Sequence, residues 1–568
     1  MTVEIPKKRN LLTILVEDYF HVGAFGNLIQ QRNWQNFEPR YEKNTIKALD
    51  LLDKHNAKGT FFVLGWIADL NPGVIREISD RGHEIGSRGF YHRSPYNLTP
   101  DEFRDDVRRA NDAIENACGK KVIGYRAAEK LSYDKGIWIL DILAKEGFAY
   151  DASFLADAMA EKFQRVAHRV ETAEGPIWEF PYSTIDVGFG LLPISGGNYY
   201  RQLPYTLMRH AVKNWRKRHD DPFVFYLHVW ELDPEQPRIS AASQYNRIRH
   251  YRKLDKMEWI LNENLSLFEW TSAADLLNLG PASRSCERRE IVGDNDPGVS
   301  ISSANSQLPV TIVIPCYNEQ ETLPYLGNTL KTVEAKLLKN NYKPSLIFID
   351  DRSTDKTFDL LNSLFGTKSN VRIIRHDQNR GTAAGIMTGI EAAETEIVCS
   401  MDCDCSYDPT ELTNMLPLLT DNVDLVTASP YHKDGGVLNV PGWRLFLSKG
   451  ASFLYRRVLR SKIATYTSCF RVYRRSSMAD MKLNESGFLG LAEMVGNLDL
   501  SGGRIVEFPT VLSVRLFGIS KMNTVKTIAG HLRMLSHLAG ARWFRKSAAI
   551  KPSLPAETFK TISGNPAD

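Results

Sequence analysis

An α/β architecture in two separate halves is predicted by three features of the sequence. Short apolar runs alternate with longer helical patterns, each apolar run closes on polar or turn residues, and a stretch rich in Gly, Pro and Ser parts the two series. That stretch, GPASRSCERREIVGDNDPGVSISSANSQLP, lacks apolar periodicity and reads as a linker. Residues 1–278 are thus expected to form one domain, 279–308 a linker and 309–545 a second domain, with 546–568 a disordered tail. A chain of 568 residues suits two to four domains at about 150 residues each.

In the first half the rhythm begins with LLTILV, followed by the helix-like YEKNTIKALDLLDKHN. GTFFVLG, PGVIREISDRG and HEIGS then continue the pattern of parallel strands with crossover helices. In the second half VTIVIP, SLIFID, VRIIRH and EIVCSMD are strand-like, with helical stretches such as TFDLLNSLF and GTAAGIMTGIEAA among them. Open α/β sheets place their chemistry at strand C-terminal ends, so the residues just after these runs are the candidates.

Composition narrows the function. With 43% hydrophobic and 24% charged residues the chain is globular in character, and a net charge of +4 over this length does not mark nucleic acid as a partner. Seven cysteines include no CxxC zinc spacing, and Cys399, Cys403 and Cys405 cluster in one strand and its following loop, which fits a reducing cytoplasm. The opening MTVEIPKKRNLLTILVEDYF has too short an apolar run for a signal peptide, and nowhere do about 18 apolar residues run together.

Three strand ends of the second half carry acidic or amide groups. Cys316, Tyr317, Asn318 and Glu319 follow VTIVIP, Asp350, Asp351 and Asp355 follow SLIFI, and Asp402 and Asp404 follow EIVCSM. Residues two apart in an extended segment point the same way, so Asp402 and Asp404 can address one metal ion, which would bridge a diphosphate. An isolated Asp-x-Asp is more often a turn or a helix cap; the three acidic strand ends together carry the reading.

With these motifs in place, residues 308 to 540 resemble the family-two glycosyltransferases, and especially the polyprenyl-phosphate, dolichyl-phosphate mannose synthase-like branch. The resemblance implies a GT-A (Rossmann-like) fold and a nucleotide-sugar donor. Pro315, Tyr317, Asn318 and Glu319 with Asp350, Asp351 and Asp402 would bind the nucleotide sugar, and the segment Asn379 to Gly381 would open the next helix near it. Asp402 and Asp404 would hold Mg²⁺ or Mn²⁺, Arg515 and Lys521 in SVRLFGISKM would neutralise phosphates, and Glu493 would lie near the acceptor. The acceptor implied is a polyprenyl phosphate or a glycan. Ser406 and Cys469 depart from the family's usual Gln and Gly, which leaves sugar and acceptor open. A phosphate acceptor is already nucleophilic, whereas a hydroxyl acceptor needs a carboxylate base, for which Glu493 is the candidate.

Residues 442–462 mix aromatic and aliphatic groups with Arg444, Lys449, Arg456, Arg457, Arg460 and Lys462, which suits an interfacial helix with snorkelling cations as well as a core helix with a basic face. TIAGHLRMLSHLAGARWFRK is similar in character. The expectation is a cytoplasmic protein, peripheral at the inner face of the cell membrane.

From Leu11 to Leu277 the chain resembles the polysaccharide deacetylases of NodB homology, in the branch found beside exopolysaccharide export systems. The matching stretches are VEDYFHV, KGTFFVLGWIA, RGHEIGSRGFYHR, GYRAAEKLS, ISGGNYYRQLPY and FYLHVWELDPEQP. The resemblance implies a distorted (β/α) barrel with a divalent metal, held by a carboxylate and a His-x3-His pair. The catalytic pattern is damaged here. Leu15 stands where the branch has an Asp ahead of Glu17 and Asp18, Arg88 stands in place of the first His of the pair ending at His92, and the GYRAP motif reads Gly124, Tyr125, Arg126, Ala127, Ala128. His228 survives. A guanidinium does not ligate a cation and repels it, so no divalent metal is expected in this half.

Three readings of the first half stay open: a barrel kept for binding sugars or partners, a deacetylase with rearranged ligands acting beside the transferase, and a different hydrolase. Trp230 and Tyr125 suit stacking on sugar rings as well as barrel packing. For the whole chain the main reading is a metal-dependent glycosyltransferase fused to an inactive deacetylase-like barrel. The alternatives are a bifunctional enzyme that also deacetylates N-acetylated sugars, and a carbohydrate-binding scaffold that turns nothing over.

Overall fold

The computed structural model describes residues 9–155, 165–188, 190–279, 307–440, 442–518 and 524–544. The expected linker and tail and the Lys521 site lie outside the described residues. The chain forms two units, each with its own sheet and core.

In the N-terminal unit the strand Asn10–Val16 is buried along its whole length, because parallel neighbours flank it and helices cover the sheet. It pairs in parallel with Val224–His228 on one side, Leu15 opposite His228, and with Thr60–Val63 on the other. Glu84–Ser87, Gly124–Tyr125 and Tyr150–Asp151 follow in parallel, then Gly175–Glu179, with His168–Thr172 antiparallel at the end. The result is a mixed α/β unit with a curled sheet, as a distorted barrel requires.

Local chemistry explains the helices. Tyr41–Lys54 buries Tyr41, Thr45, Ala48, Leu49 and Leu52, one apolar stripe at helical spacing. Pro100–Cys118 starts with a reciprocal capping box between Thr99 and Glu102 and stops at Gly119, whose φ of 70° suits a residue without a Cβ. One difference from the sequence pattern matters for the site. Between Val16 and Tyr41 the chain forms three short 3₁₀ turns, Tyr19–His21, Gly23–Phe25 and Gln31–Asn36, and part of this segment lines the pocket described below.

The C-terminal unit is built on a seven-stranded mixed sheet. Val371–Arg375, Tyr342–Asp350, Leu308–Cys316 and Ile397–Ser400 lie side by side in that order, all parallel. Arg471–Arg474 is then inserted antiparallel, followed by Leu425–Ser429 and Ile505–Pro509. The chain runs outward from Leu308–Cys316 in one direction and returns with Ile397–Ser400 on the other side, so a topological switch point falls between these two strands. Ligands of open α/β sheets bind there, beyond the strand C-termini. The helices Gly442–Val458 and Thr524–Phe544 pack on each other through a hydrogen bond between Tyr455 Oη and His531 Nδ1 at 2.9 Å.

Candidate functional site

In the N-terminal unit five strand ends carry charged side chains, and Glu17, Arg88 and His228 meet with His92 in one cluster. Glu17 follows Asn10–Val16, Arg88 follows Glu84–Ser87, Arg126 follows Gly124–Tyr125, Asp151 ends its own strand and His228 ends Val224–His228. Glu17 is the hub. Its Oε2 accepts from Arg88 Nε at 2.7 Å and lies 2.9 Å from His92 Nε2, while its Oε1 lies 2.5 Å from His228 Nδ1. Burial raises the Glu17 pKa, but Arg88, then His228, then His92 more than offset this and hold it well below the usual carboxylate range. Arg88 also donates to the carbonyls of Ala127 and Ala128 at 3.0 and 3.3 Å.

These contacts test whether a divalent ion fits the first half. The Arg88 guanidinium touches both Glu17 and His92, which places its own positive charge against the carboxylate and the imidazole that would ligate. With that guanidinium against both groups, the residues present do not fit a metal. Asp18 is elsewhere engaged. Its carboxylate accepts from the backbone amides of Tyr19, Arg40 and Tyr41 at 2.9, 2.5 and 3.0 Å and caps the first 3₁₀ turn, with burial pushing its pKa up to about 7. Glu17, Arg88, His92 and His228 are therefore brought together, and Asp18 is not among the residues lining their pocket.

Arg126 is buried behind the pocket, its guanidinium 4.7 and 4.5 Å from the ring centroids of Tyr182 and Tyr226 and bonded to Thr13 Oγ1 at 3.2 Å. The pocket has a volume of about 430 Å³. Sequence motifs did not single out Lys130, Tyr182, Tyr199, Arg201, Arg249 or His250, all of which line it. Arg201 forms a fully buried pair with Glu231 at 2.8 Å and caps the carbonyls of His250 and Arg252, a partnership across some thirty residues that no local motif announces. Trp230 lines the pocket with its ring stacked on His250 at 4.1 Å, and Tyr125 packs instead against Phe103 and Phe148 in the core.

In the C-terminal unit the residues after Leu308–Cys316 and Ile397–Ser400 meet at the switch point. Asp402 and Asp404 are half-buried; Asp404 accepts from Ser406 N and Oγ at 2.9 and 2.6 Å. Arg515 is hydrogen-bonded to Glu319, and its other terminal nitrogen lies 3.6 Å from Asp404. Burial and then the charge of Asp404 push Asp402 up to about 7, while burial raises Glu319 against the pull of Arg515. Glu319 and Asp404 pair with one guanidinium, and Asp402 adds a third carboxylate within its electrostatic reach. The surplus of negative charge and the oxygen donor set suit a hard divalent cation. Among the described residues no group of three or more His, Cys, Asp or Glu is arranged to hold a metal ion.

The other predicted residues shape the crevice. Asn318, at φ 53°, clamps the following loop: its N donates to Ser353 Oγ at 2.9 Å and its Oδ1 accepts from Thr354 N at 2.7 Å. Tyr317 is more than a third exposed, and Pro315 sits within its strand. Asp350 is buried against Arg375 at 2.9 Å. Asp351 accepts from the amides of Arg380 and Gly381, both at 2.7 Å, and from His376 at 2.8 Å, which ties the loop before Thr382–Ala392 to the second strand. A Cβ on Gly381 would come within 2.7 Å of Gly487 Cα and Ser486 O, so the close approach there requires glycine.

Glu493 stands apart from this cluster. It lies on Phe488–Leu500, is buried, and its two oxygens accept from Asn484 N, Asn484 Nδ2 and Glu485 N at 2.8 to 3.0 Å. It is a buried carboxylate, not a solvated one. Its contacts pin the loop that precedes its own helix.

Comparison with known proteins agrees with this division. Residues 27–149 match the family model "Polysaccharide deacetylase", 154–278 match "Domain of unknown function (DUF3473)" and 311–481 match "Glycosyl transferase family 2". The C-terminal half is similar to a dolichol-phosphate mannosyltransferase of Pyrococcus furiosus, 29% identical over 41% of this chain and 64% of that one, so the match spans under two thirds of that relative. It is also similar to a polyprenol monophosphomannose synthase of Mycolicibacterium smegmatis, 27% identical over 37% of this chain and 80% of that one. Among solved structures, a CE4 family pseudoenzyme from Bacillus anthracis aligns at a TM-score of 0.27 and 17% identity over 48% of this chain and 66% of that one. The N-terminal half thus matches a polysaccharide deacetylase model and the C-terminal half a glycosyl transferase family 2 model.

Proposed function

We propose that the C-terminal unit transfers a sugar from a nucleotide-sugar donor to a polyprenyl phosphate, and that the N-terminal unit is a deacetylase-like fold without deacetylase turnover. The observation that carries the transferase reading is the under-neutralised trio Asp402, Asp404 and Glu319 at the topological switch point. Asp402 and Asp404 would hold Mg²⁺ or Mn²⁺, with the donor's diphosphate oxygens completing the shell. Bound there, the metal would supply electrostatic stabilisation to the departing nucleoside diphosphate. Arg515 stands where it can add a second positive charge to the phosphates, and Lys521 is proposed for the same task. Pro315, Tyr317 and Asn318 would border the base and ribose, with Asp350 and Asp351 holding the walls of that crevice in shape.

The choice of acceptor follows from Glu493. A hydroxyl acceptor needs a carboxylate base, and every oxygen of Glu493 is committed to the 484–485 loop. A phosphate acceptor needs no base, because its anionic oxygen is already a nucleophile. The relatives named for polyprenol and dolichol phosphate products support the same acceptor class.

A peripheral membrane location is consistent with Phe446 at 79% exposure, Phe453, Leu532 and Trp543 on the Gly442–Val458 and Thr524–Phe544 helices, with basic residues Lys449, Arg456 and Arg457 on the first. No described helix is long and apolar enough to cross a membrane. The test is to incubate full-length protein with Mn²⁺, uridine and guanosine diphosphate sugars and a short polyprenyl phosphate, then analyse products by mass spectrometry. A glycosylated lipid phosphate is expected. Nucleoside diphosphate release with no lipid product would transfer the reading to a glycan acceptor, and loss of an acetyl group from any N-acetylated sugar would overturn the reading of the N-terminal unit.

A further inference from the structure

The pocket of the N-terminal unit carries positive charge that its own carboxylates do not match. Arg88 is paired with Glu17, and Arg201 with Glu231. Lys130 and Arg249 line the same cavity, and among the described residues neither has a carboxylate within ion-pair distance. The remaining acid of the wall, Glu129, is exposed and bonded to Ser94. His92, His228 and His250 complete the polar lining.

Lys130 is held in place by rings. Its Nζ donates to Tyr199 Oη at 3.1 Å and lies 5.0 and 5.1 Å from the ring centroids of Tyr182 and Tyr199. Burial, and then the like charges of Arg126 and Arg249, lower its pKa, as expected for an ammonium whose anion is not part of the chain. Tyr182, Tyr199, Tyr226 and Trp230 add aromatic surface to a space of about 430 Å³, within the roughly 300–1,000 Å³ typical of small-ligand pockets.

We infer that this pocket binds an anionic carbohydrate, a sugar unit bearing a carboxylate or a phosphate, with Lys130 and Arg249 on the anion and the aromatic side chains against the sugar ring. Replacing the first histidine of the pair by Arg88 removes the demand for a metal and leaves Glu17 neutralised, so the carboxylate at the centre of the pocket does not repel such a ligand. A neutral acetylated sugar gives Lys130 and Arg249 nothing to pair with. This inference concerns the N-terminal unit alone and stands or falls apart from the transferase reading.

The test uses the full-length Asp404→Asn protein in EDTA, so that the second site binds no metal-dependent ligand. Tryptophan fluorescence and calorimetry would follow titration with a uronic-acid trisaccharide, a neutral trisaccharide and a hexose 1-phosphate. At least one anionic sugar is expected to bind about tenfold or more tighter than the neutral one, and the pair of anions distinguishes carboxylate from phosphate. Lys130→Met is expected to weaken that binding tenfold or more with the thermal midpoint unchanged. Arg249→Gln, at an exposed position that tolerates substitution, is expected to weaken it severalfold. Equal affinity for the neutral sugar, no binding of either anion, or unchanged affinity in Arg249→Gln and in a folded Lys130→Met would overturn the inference.

Discussion

At the strand ends of the N-terminal unit a single carboxylate, Glu17, is surrounded by Arg88, His92 and His228, whereas at those of the C-terminal unit Asp404 and Glu319 share Arg515 beside a third carboxylate, Asp402. Both clusters are acid gathered at the C-terminal edge of a parallel sheet, and their electrostatics run in opposite directions. Glu17 is held ionised well below its usual range, while Asp402 is pushed up to about 7. A buried carboxylate that carries its own guanidinium is complete. A cluster with more acid than base is stabilised by a cation from outside, and on the reading proposed above this separates a pocket without a metal from one that would take a metal-bound diphosphate.

The comparison breaks most visibly at Asp404. With Asp404→Asn, sugar transfer is expected to fall about 1,000-fold, read as lipid product per unit time, while Glu17→Gln leaves it within a few-fold. Comparable losses in both variants would erase the distinction between the two clusters. Arg515→Gln is the next largest effect. It removes the only guanidinium described beside the trio, and kcat is expected to drop about 100-fold, with Arg515→Lys recovering part because the charge remains without the planar fork.

In the other unit the expected effects are on stability. Arg88→Ala leaves Glu17 buried with only imidazoles beside it and is expected to cost about 3 kcal/mol, seen as a lower thermal midpoint with transferase activity retained at low temperature. An unchanged midpoint would show that the guanidinium does not complete the cluster. The smallest effect concerns Asp18, whose folded pKa is raised to about 7, above its unfolded value. A raised carboxyl pKa favours the fold at low pH, and that contribution is lost as pH rises through about 7. Stability is therefore expected to fall by about 2 kcal/mol between about pH 5.5 and 7.5, and Asp18→Asn is expected to flatten this slope even where it lowers the midpoint. A slope unchanged in the variant would assign the pH dependence to another group.

The fold was legible wherever apolar runs were local and continuous: LLTILV, GTFFVLG, VTIVIP, SLIFID and EIVCSMD all lie on strands. The antiparallel insertion of Arg471–Arg474 and the three 3₁₀ turns after Val16 were not, because the first depends on pairing across seventy residues and the second on caps such as Asp18. The same limit governs the sites. Arg88 in a histidine's place is visible as a substitution, but its contact with Glu17, seventy-one residues away, is not. Neighbouring Glu17 and Asp18 look equivalent in sequence, yet one enters the pocket and the other caps a turn. Glu493 could be read in sequence as a solvated helix carboxylate or as an acceptor-side group, and its hydrogen bonds to the 484–485 loop are visible only in the fold.

The most direct test of the central claim counts bound Mn²⁺ by electron paramagnetic resonance, in the presence of a nucleoside diphosphate, for the full-length protein, Asp404→Asn and Glu17→Gln. About one Mn²⁺ per chain is expected in the unaltered protein and in Glu17→Gln, and none in Asp404→Asn. Metal retained in Asp404→Asn and lost in Glu17→Gln would reverse the assignment of the two clusters and contradict the account.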